Sequence, residues 1–104
     1  MITVRFYVKK ETVGFEMSGH SGYAEEGRDI ICSAVSSCAY MTANTLTEIV
    51  GLNPEIEVKD GYMKLVLNDT EASKVQDILN GFMLHINALA DEYPEYIACK
   101  TRNI

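Results

Sequence analysis

The sequence predicts a two-layer α+β domain in which two helices cover one face of a mainly antiparallel sheet of four or five strands. Apolar residues alternate with polar ones in several short segments and recur every three or four positions in two long segments. Short turn sequences join the strands in pairs, which makes neighbouring strands antiparallel. The expected order is ββαββα, with a short terminal strand as the fifth. Two helices with one apolar face each need one shared surface to cover.

The N-terminal segment has the period-two pattern of two strands. Ile2–Val8 alternates apolar and more polar side chains, and 13–17 alternates again after a turn at 9–12. This hairpin brings Gly19 and His20 to one end of the sheet.

A long helical pattern follows, from about Asp29 to Val50. Aspartate is a strong N-cap residue, Gly51 is a suitable helix stop, and Pro54 lies beyond the pattern. The face predicted to contact the core comprises Ile31, Val35, Cys38, Thr42, Thr45, Leu46 and Ile49.

The second half repeats the strand, strand, helix order. Asp60-Gly61 is the strongest hairpin signal in the sequence, and Asn68–Thr70 predicts the cap of a second helix that ends before Pro94. Tyr96–Cys99 is a short apolar run predicted as the last strand. The predicted buried face of the second helix comprises Val75, Ile78, Leu79, Phe82, Met83, Ile86, Leu89, Ala90 and Tyr93. The sheet face away from the helices, either solvated or paired with a second subunit, is expected to include Arg5, Tyr7, Lys64 and Val66.

Length and composition indicate one globular domain over 1–104. The sequence has no apolar run of about 20 residues and no charged-then-apolar leader, so we expect no membrane span and a cytoplasmic location. A net charge of -6 argues against direct nucleic-acid binding and favours a basic peptide as partner. Three cysteines without a close pair fit a reducing compartment.

Cys32 and His20 are the candidate nucleophile and base. The predicted helix start places Cys32 in the first turn, about 100° away from the apolar face, where the helix dipole favours a thiolate. Cys38 and Cys99 lie in apolar settings and are interpreted as core residues. Flanking glycines give the backbone around His20 freedom to place the imidazole, and the twelve-residue separation is enough chain for His20 to reach the thiol.

Other residues near this pair have supporting roles in the prediction. Asp29 is most simply the N-cap, although its carboxylate can instead orient His20. Ser36 lies one helical turn after Cys32 and can donate a hydrogen bond near the thiol or the reacting carbonyl, or bond back to its own helix. The loop between Ser21 and Arg28 is predicted to act as a lid that closes over the substrate. The predicted substrate and lid residues are Gly19, Gly22, Tyr23, Glu25, Glu26 and Gly27.

These residues form a pattern of Gly-His-x-Gly-Tyr-Ala, a short spacer and Gly-x-Asp-Ile-x-Cys, followed by Ala-Val-Ser at 34–36. The pattern runs without a gap over 19–36 and closely resembles the signature of the Prp family, the bacterial ribosomal-processing cysteine proteases. Ser33 stands where alanine is expected, and Arg28 stands where lysine is common. Neither substitution affects His20 or Cys32.

The resemblance implies a homodimeric cysteine endopeptidase that needs no cofactor. Its substrate in the family is the N-terminal extension of a large-subunit ribosomal protein, which carries aromatic and basic residues. Cys32 matches the family's nucleophile and His20 its base. Gly19, Asp29 and Ser36 fall on other motif positions.

Three alternatives stay open at this point. A non-catalytic module that binds the ribosome would share the same partner. A redox sensor would oxidise Cys32 and use another cysteine to resolve it. A structural zinc site would need His20 with the three cysteines, but there is no Cys-x-x-Cys, so no metal is expected.

Overall fold

The computed structural model describes residues 1–20 and 29–104 and confirms the α+β class. The strands are β1 (Ile2–Val8), β2 (Thr12–Ser18), β3 (Glu55–Lys59), β4 (Tyr62–Val66) and β5 (Ile97–Asn103). The helices are α1 (Ile30–Asn44), which continues into a π-helical turn at Thr45–Ile49, α2 (Asp69–Lys74) and α3 (Gln76–Glu92). No helix in this described part of the chain has the length and apolar character needed to cross a bilayer.

The five strands form one mixed sheet in the order β3-β4-β2-β1-β5. Both hairpins are antiparallel, as is the β2–β4 pair that joins them, whereas β5 is parallel to β1. The last strand is longer than predicted because it runs to Asn103, which pairs with Val8. The final residues of β5 are polar and exposed, so no apolar alternation marks them as a strand in the sequence. They belong to the strand because their backbone pairs with β1 at the edge of the sheet.

The predicted second helix is two helices, α2 and α3, separated at Val75 (φ -128°, ψ 24°). The next residue, Gln76, makes a long-range contact at this break. The Gln76 amide donates to Thr12 O at 2.7 Å and to Ala72 O at 2.8 Å, and its Oε1 accepts from Thr12 N at 3.1 Å. The Gln76 side chain therefore satisfies backbone groups of β2 and α2 at the point where the helix is interrupted.

Most residues predicted to form the buried face of the first helix are buried or half-buried, but Ile49 is 80% exposed. The prediction was wrong there because the π-helical turn inserts extra residues into the last turn and rotates Ile49 away from the core, while Leu46 stays buried. Gly51 follows with φ +83°, a left-handed conformation suited to glycine at a helix end.

The core lies between the helices and one face of the sheet. Phe82 of α3 contacts Phe15 and Phe6 edge-on, with ring centroids 4.8 and 5.4 Å apart. Such aromatic contacts add about 0.5–1.5 kcal/mol each beyond the burial of their surface. This cluster anchors α3 over β1 and β2, while the helix-side residues of β3 remain exposed, including Ile56 at 43% and Val58 at 49%.

The opposite sheet face contains the predicted residues, but Tyr7 there is buried rather than solvated. Its hydroxyl donates to Glu16 at 2.8 Å, and Lys64 Nζ lies 5.5 Å from the centre of its ring. Burial, together with the hydrogen bond to the Glu16 carboxylate, raises the pKa of Tyr7 to about 12. Arg5 also forms a salt bridge with Glu16, at 3.2 Å. The charged groups of Arg5 and Glu16 on this face therefore pair with each other.

Candidate active site

Asp29 fixes the start of α1 and thereby the position of Cys32. Its Oδ1 accepts hydrogen bonds from Ile31 N at 3.0 Å and Cys32 N at 2.9 Å. Asp29 is buried, with 5% of its surface exposed. The predicted N-cap role is confirmed. An N-cap of this kind is worth about 1 kcal/mol and sets the first helical turn, so it also determines where the Cys32 side chain projects.

His20 is held at the end of β2 by its glycine neighbour. Gly19 has φ +92°, and a side chain on it would collide with the carbonyl oxygen of Met1. The Gly19 N–H donates to Gly61 O at 2.9 Å, which ties the end of β2 to the β3–β4 turn. His20 therefore leaves the sheet at a fixed point, with its side chain exposed.

The structure brings together the two predicted catalytic side chains. His20 Nδ1 lies 3.9 Å from Cys32 Sγ, although the two residues are twelve positions apart in the sequence. Cysteine and histidine at this separation can exchange a proton after a small rotation of either side chain, and such contacts tighten when substrate binds. This pair is the arrangement that a thiol nucleophile and its base require.

A cleft of about 720 Å³ contains the pair. Helix α1 forms one wall of the cleft and the β3–β4 hairpin forms the other. The cleft therefore lies beside β3, whose helix-side residues are exposed. It is lined by Ile2, Met17, Gly19, His20, Asp29, Cys32, Ser33, Ser36, Tyr40 and 58–62. The volume is sufficient for several residues of a peptide.

Ser36 lies in this cleft, as its spacing from Cys32 predicted, and its role there stays a prediction. Ser33 and Tyr40 also line the cleft but were not predicted. Their helical spacing from Cys32 and Ser36 was a usable signal for the same wall. The β3–β4 turn had no such signal, since its place beside His20 depends on the strand order.

The N–H groups in the first turn of α1 are engaged in hydrogen bonds to Asp29. The Ile31 and Cys32 N–H groups already donate to Asp29 Oδ1. Ser33 N donates to Asp29 O at 3.0 Å. These three backbone donors therefore have little capacity left for an oxyanion near Cys32, and Ser33 and Ser36 line the same cleft.

Five of the predicted substrate and lid residues lie outside the described residues. They are Gly22, Tyr23, Glu25, Glu26 and Gly27. Their lid function stays a prediction. In the described part of the chain, no three His, Cys, Asp or Glu side chains come together as a set that could hold a metal ion.

The other two cysteines have environments unlike that of Cys32. All three thiols are free and half-buried against the hydrophobic core, but of the three only Cys32 lines the cleft. Burial raises the pKa of both the Cys38 and the Cys99 thiol. Both are half-buried against the core, so their interpretation as core residues is confirmed only in part.

We expect limiting iodoacetamide at neutral pH to alkylate Cys32 before Cys38 and Cys99. The thiolate is the reacting species, and the raised pKa values of Cys38 and Cys99 leave them mostly protonated. Cys32 lines the open cleft and has an imidazole beside it. Peptide mapping by mass spectrometry after partial labelling measures the order. Equal labelling of the three cysteines would contradict this expectation.

Comparison with known proteins identifies the family. The family model described as cysteine protease Prp matches residues 1–98. The chain belongs to the Prp family of cysteine proteases. A Bacillus subtilis (strain 168) relative, named ribosomal processing cysteine protease Prp, is 26% identical over 108 residues, covering 98% of this chain and 96% of the relative. A relative of the same name from Staphylococcus aureus (strain Mu50) is 29% identical over 101 residues, covering 93% and 95%.

Solved structures share the fold of this chain. The S. aureus ribosomal processing protease Prp, in complex with a covalently linked product peptide, superposes with a TM-score of 0.85 at 28% identity, covering 98% of this chain and all of that one. The Streptococcus mutans protein SMU.848 superposes with a TM-score of 0.82 at 33% identity, covering 100% and 96%. This chain is therefore a cysteine protease with the Prp fold.

Proposed function

We propose that this protein removes the N-terminal extension of a large-subunit ribosomal protein, using Cys32 as nucleophile and His20 as general base and acid. The observation that carries the proposal is the 3.9 Å separation of Cys32 Sγ and His20 Nδ1 inside a cleft large enough for a peptide. In the same proposal the enzyme is a cytoplasmic homodimer of 1–104 domains and uses no cofactor.

The first half of the reaction forms an acyl-enzyme. His20 Nδ1 takes the proton from Cys32 Sγ, and the thiolate attacks the carbonyl carbon of the scissile bond. The hydroxyls of Ser33 and Ser36 line the same cleft and donate to the oxyanion of the tetrahedral intermediate. The imidazolium then gives its proton to the leaving amine nitrogen, the C–N bond breaks, and a thioester to Cys32 remains.

The second half releases the product acid. A water molecule enters where the amine left, and neutral His20 takes one of its protons as the oxygen attacks the thioester carbonyl. Collapse of the second tetrahedral intermediate breaks the C–S bond and returns the proton to Cys32. Two side chains are sufficient because a thiol needs less activation than a serine hydroxyl.

The charge of the protein supports a basic substrate. The whole chain carries a net charge of -6, and the cleft lining contains Asp60 as well as Lys59, whose ammonium group pairs with Glu57 at 2.9 Å. A basic extension is attracted to such a protein at low ionic strength. The B. subtilis and S. aureus relatives named ribosomal processing proteases support a ribosomal protein as the source of that extension.

The test is to incubate the purified enzyme with the ribosomal protein in two forms, one with and one without its N-terminal extension. We expect the mass of the tailed form to fall by the mass of the extension, with no change in the tailless form, as measured by intact-protein mass spectrometry. The proposal fails if the tailed form keeps its mass, or if both forms are cut at internal sites.

A further inference from the structure

The β3–β4 turn packs directly against the imidazole of His20. A methyl group built on Gly61 would lie 2.9 Å from His20 Nε2 and 3.3 Å from Cε1. On its other side, the same ring approaches Cys32 through Nδ1. The imidazole thus lies between the turn and the thiol, and the space it occupies exists because residue 61 has no side chain.

Gly61 also holds the backbone that leads to His20. Its carbonyl oxygen accepts the Gly19 N–H at 2.9 Å, which joins the end of β2 to the turn. Residue 61 can therefore affect His20 in two ways: its carbonyl oxygen binds the N–H of the preceding residue, and its Cα lies close to the imidazole. An exposed histidine without such contacts would sample several rotamers.

We propose that Gly61 is a positioning residue for His20, an inference that rests on the proposed role of His20 as the catalytic base. Because Gly61 has no side chain, the imidazole can lie close to its Cα. Gly61 thereby limits how far the ring can move away from Cys32, and so sets the distance between His20 Nδ1 and Cys32 Sγ. The imidazole is rigid, so a group that displaces Nε2 displaces Nδ1 as well. Displacements of about 1 Å in catalytic groups can cost about 100-fold in rate.

The chain offers a matched control for this proposal. Gly61 has φ +66°, where any L-residue is strained, so alanine at 61 introduces both backbone strain and a collision with the ring. Gly51 has φ +83° but nothing lies within 4 Å of a methyl group built on it. Gly51→Ala therefore introduces the strain alone, at a position outside the cleft.

The first measurement compares kcat, KM and the pH profile of kcat/KM for Gly61→Ala and Gly51→Ala on the tailed substrate. We expect Gly61→Ala to lower kcat by about tenfold or more, to change KM little, and to shift the pH profile, because the base is misplaced while the cleft remains. Gly51→Ala keeps kcat and the profile near those of the wild type. Equal effects of the two substitutions would overturn the proposal.

The second measurement needs no proteolysis. The melting temperature lost on Gly61→Ala is measured in the wild type and in a His20→Ala background, where the ring that the methyl group meets is absent. We expect a smaller loss in the His20→Ala background, while Gly51→Ala costs the same in both. Equal losses for Gly61→Ala in the two backgrounds overturn the proposal. If the wild type cleaves no tailed substrate, the proposed function fails, and this cycle still decides whether Gly61 positions His20.

Discussion

Cys32→Ala is expected to lower kcat/KM for the tailed ribosomal protein by about 10⁴-fold or more. The sulfur forms the bond to the acyl group, and no other group in the described part of the cleft supplies an equivalent nucleophile beside His20. Loss of a covalent nucleophile removes nearly all of the chemical rate, leaving only the effect of substrate binding. Rates of product formation followed by mass spectrometry measure the loss.

The Cys32→Ala variant should fold like the wild type. Asp29 binds the backbone N–H of Cys32 rather than its side chain, so the cap of α1 survives the substitution. Cys38→Ala is the matched control, since Cys38 lies in the same helix and also packs against the core but does not line the cleft. Full cleavage by Cys32→Ala, or an equal loss of activity in Cys38→Ala at unchanged melting temperature, would refute the assignment of the nucleophile.

His20→Ala is expected to lower kcat by about 10²–10⁴-fold, the usual contribution of a general acid and base. The imidazole is needed twice, first to remove the thiol proton and then to protonate the amine. Loss of the base also slows iodoacetamide alkylation of Cys32 at neutral pH, which tests the contact without any peptide. Parallel measurements of cleavage and alkylation check both effects.

His85→Ala is the control for His20→Ala, because His85 is exposed on α3 and lies outside the lining of the cleft. We expect the His85→Ala variant to cleave the substrate at the wild-type rate, and its Cys32 to be alkylated at the wild-type rate. Unchanged alkylation of Cys32 in the His20→Ala variant would show that the imidazole does not act on the thiol. In that case a different residue must supply the base.

The local parts of the site were predictable because they depend on neighbours in the sequence. Asp29 and Cys32 are three residues apart, and the N-cap rule alone places the thiol in the first turn of a helix. The Asp60-Gly61 turn is equally local, and it joins β3 to β4 as expected. Residue types and short spacings contain all the information that these features need.

Two departures from the predicted fold involve contacts between residues far apart in the sequence. The helix break at Val75 accompanies hydrogen bonds between Gln76 and Thr12, which are 64 residues apart. The parallel pairing of β5 with β1 joins the two ends of the chain through backbone groups, whatever the side chains of its polar last residues. Hydrophobic periodicity predicts neither contact, because it shows only which side of a single segment is buried and not which other segment it meets.

The sequence by itself determined the α+β class, the two hairpins, the capped helix and the position of Cys32 at its start. These follow from backbone geometry and apolar spacing within short segments. The tertiary structure decided that β4 lies next to β2, and hence that Gly61 lies against His20. It also decided the 3.9 Å approach of His20 to Cys32. Strand order depends on how the helices cover one face of the assembled sheet, a global free-energy balance that no single stretch of sequence contains.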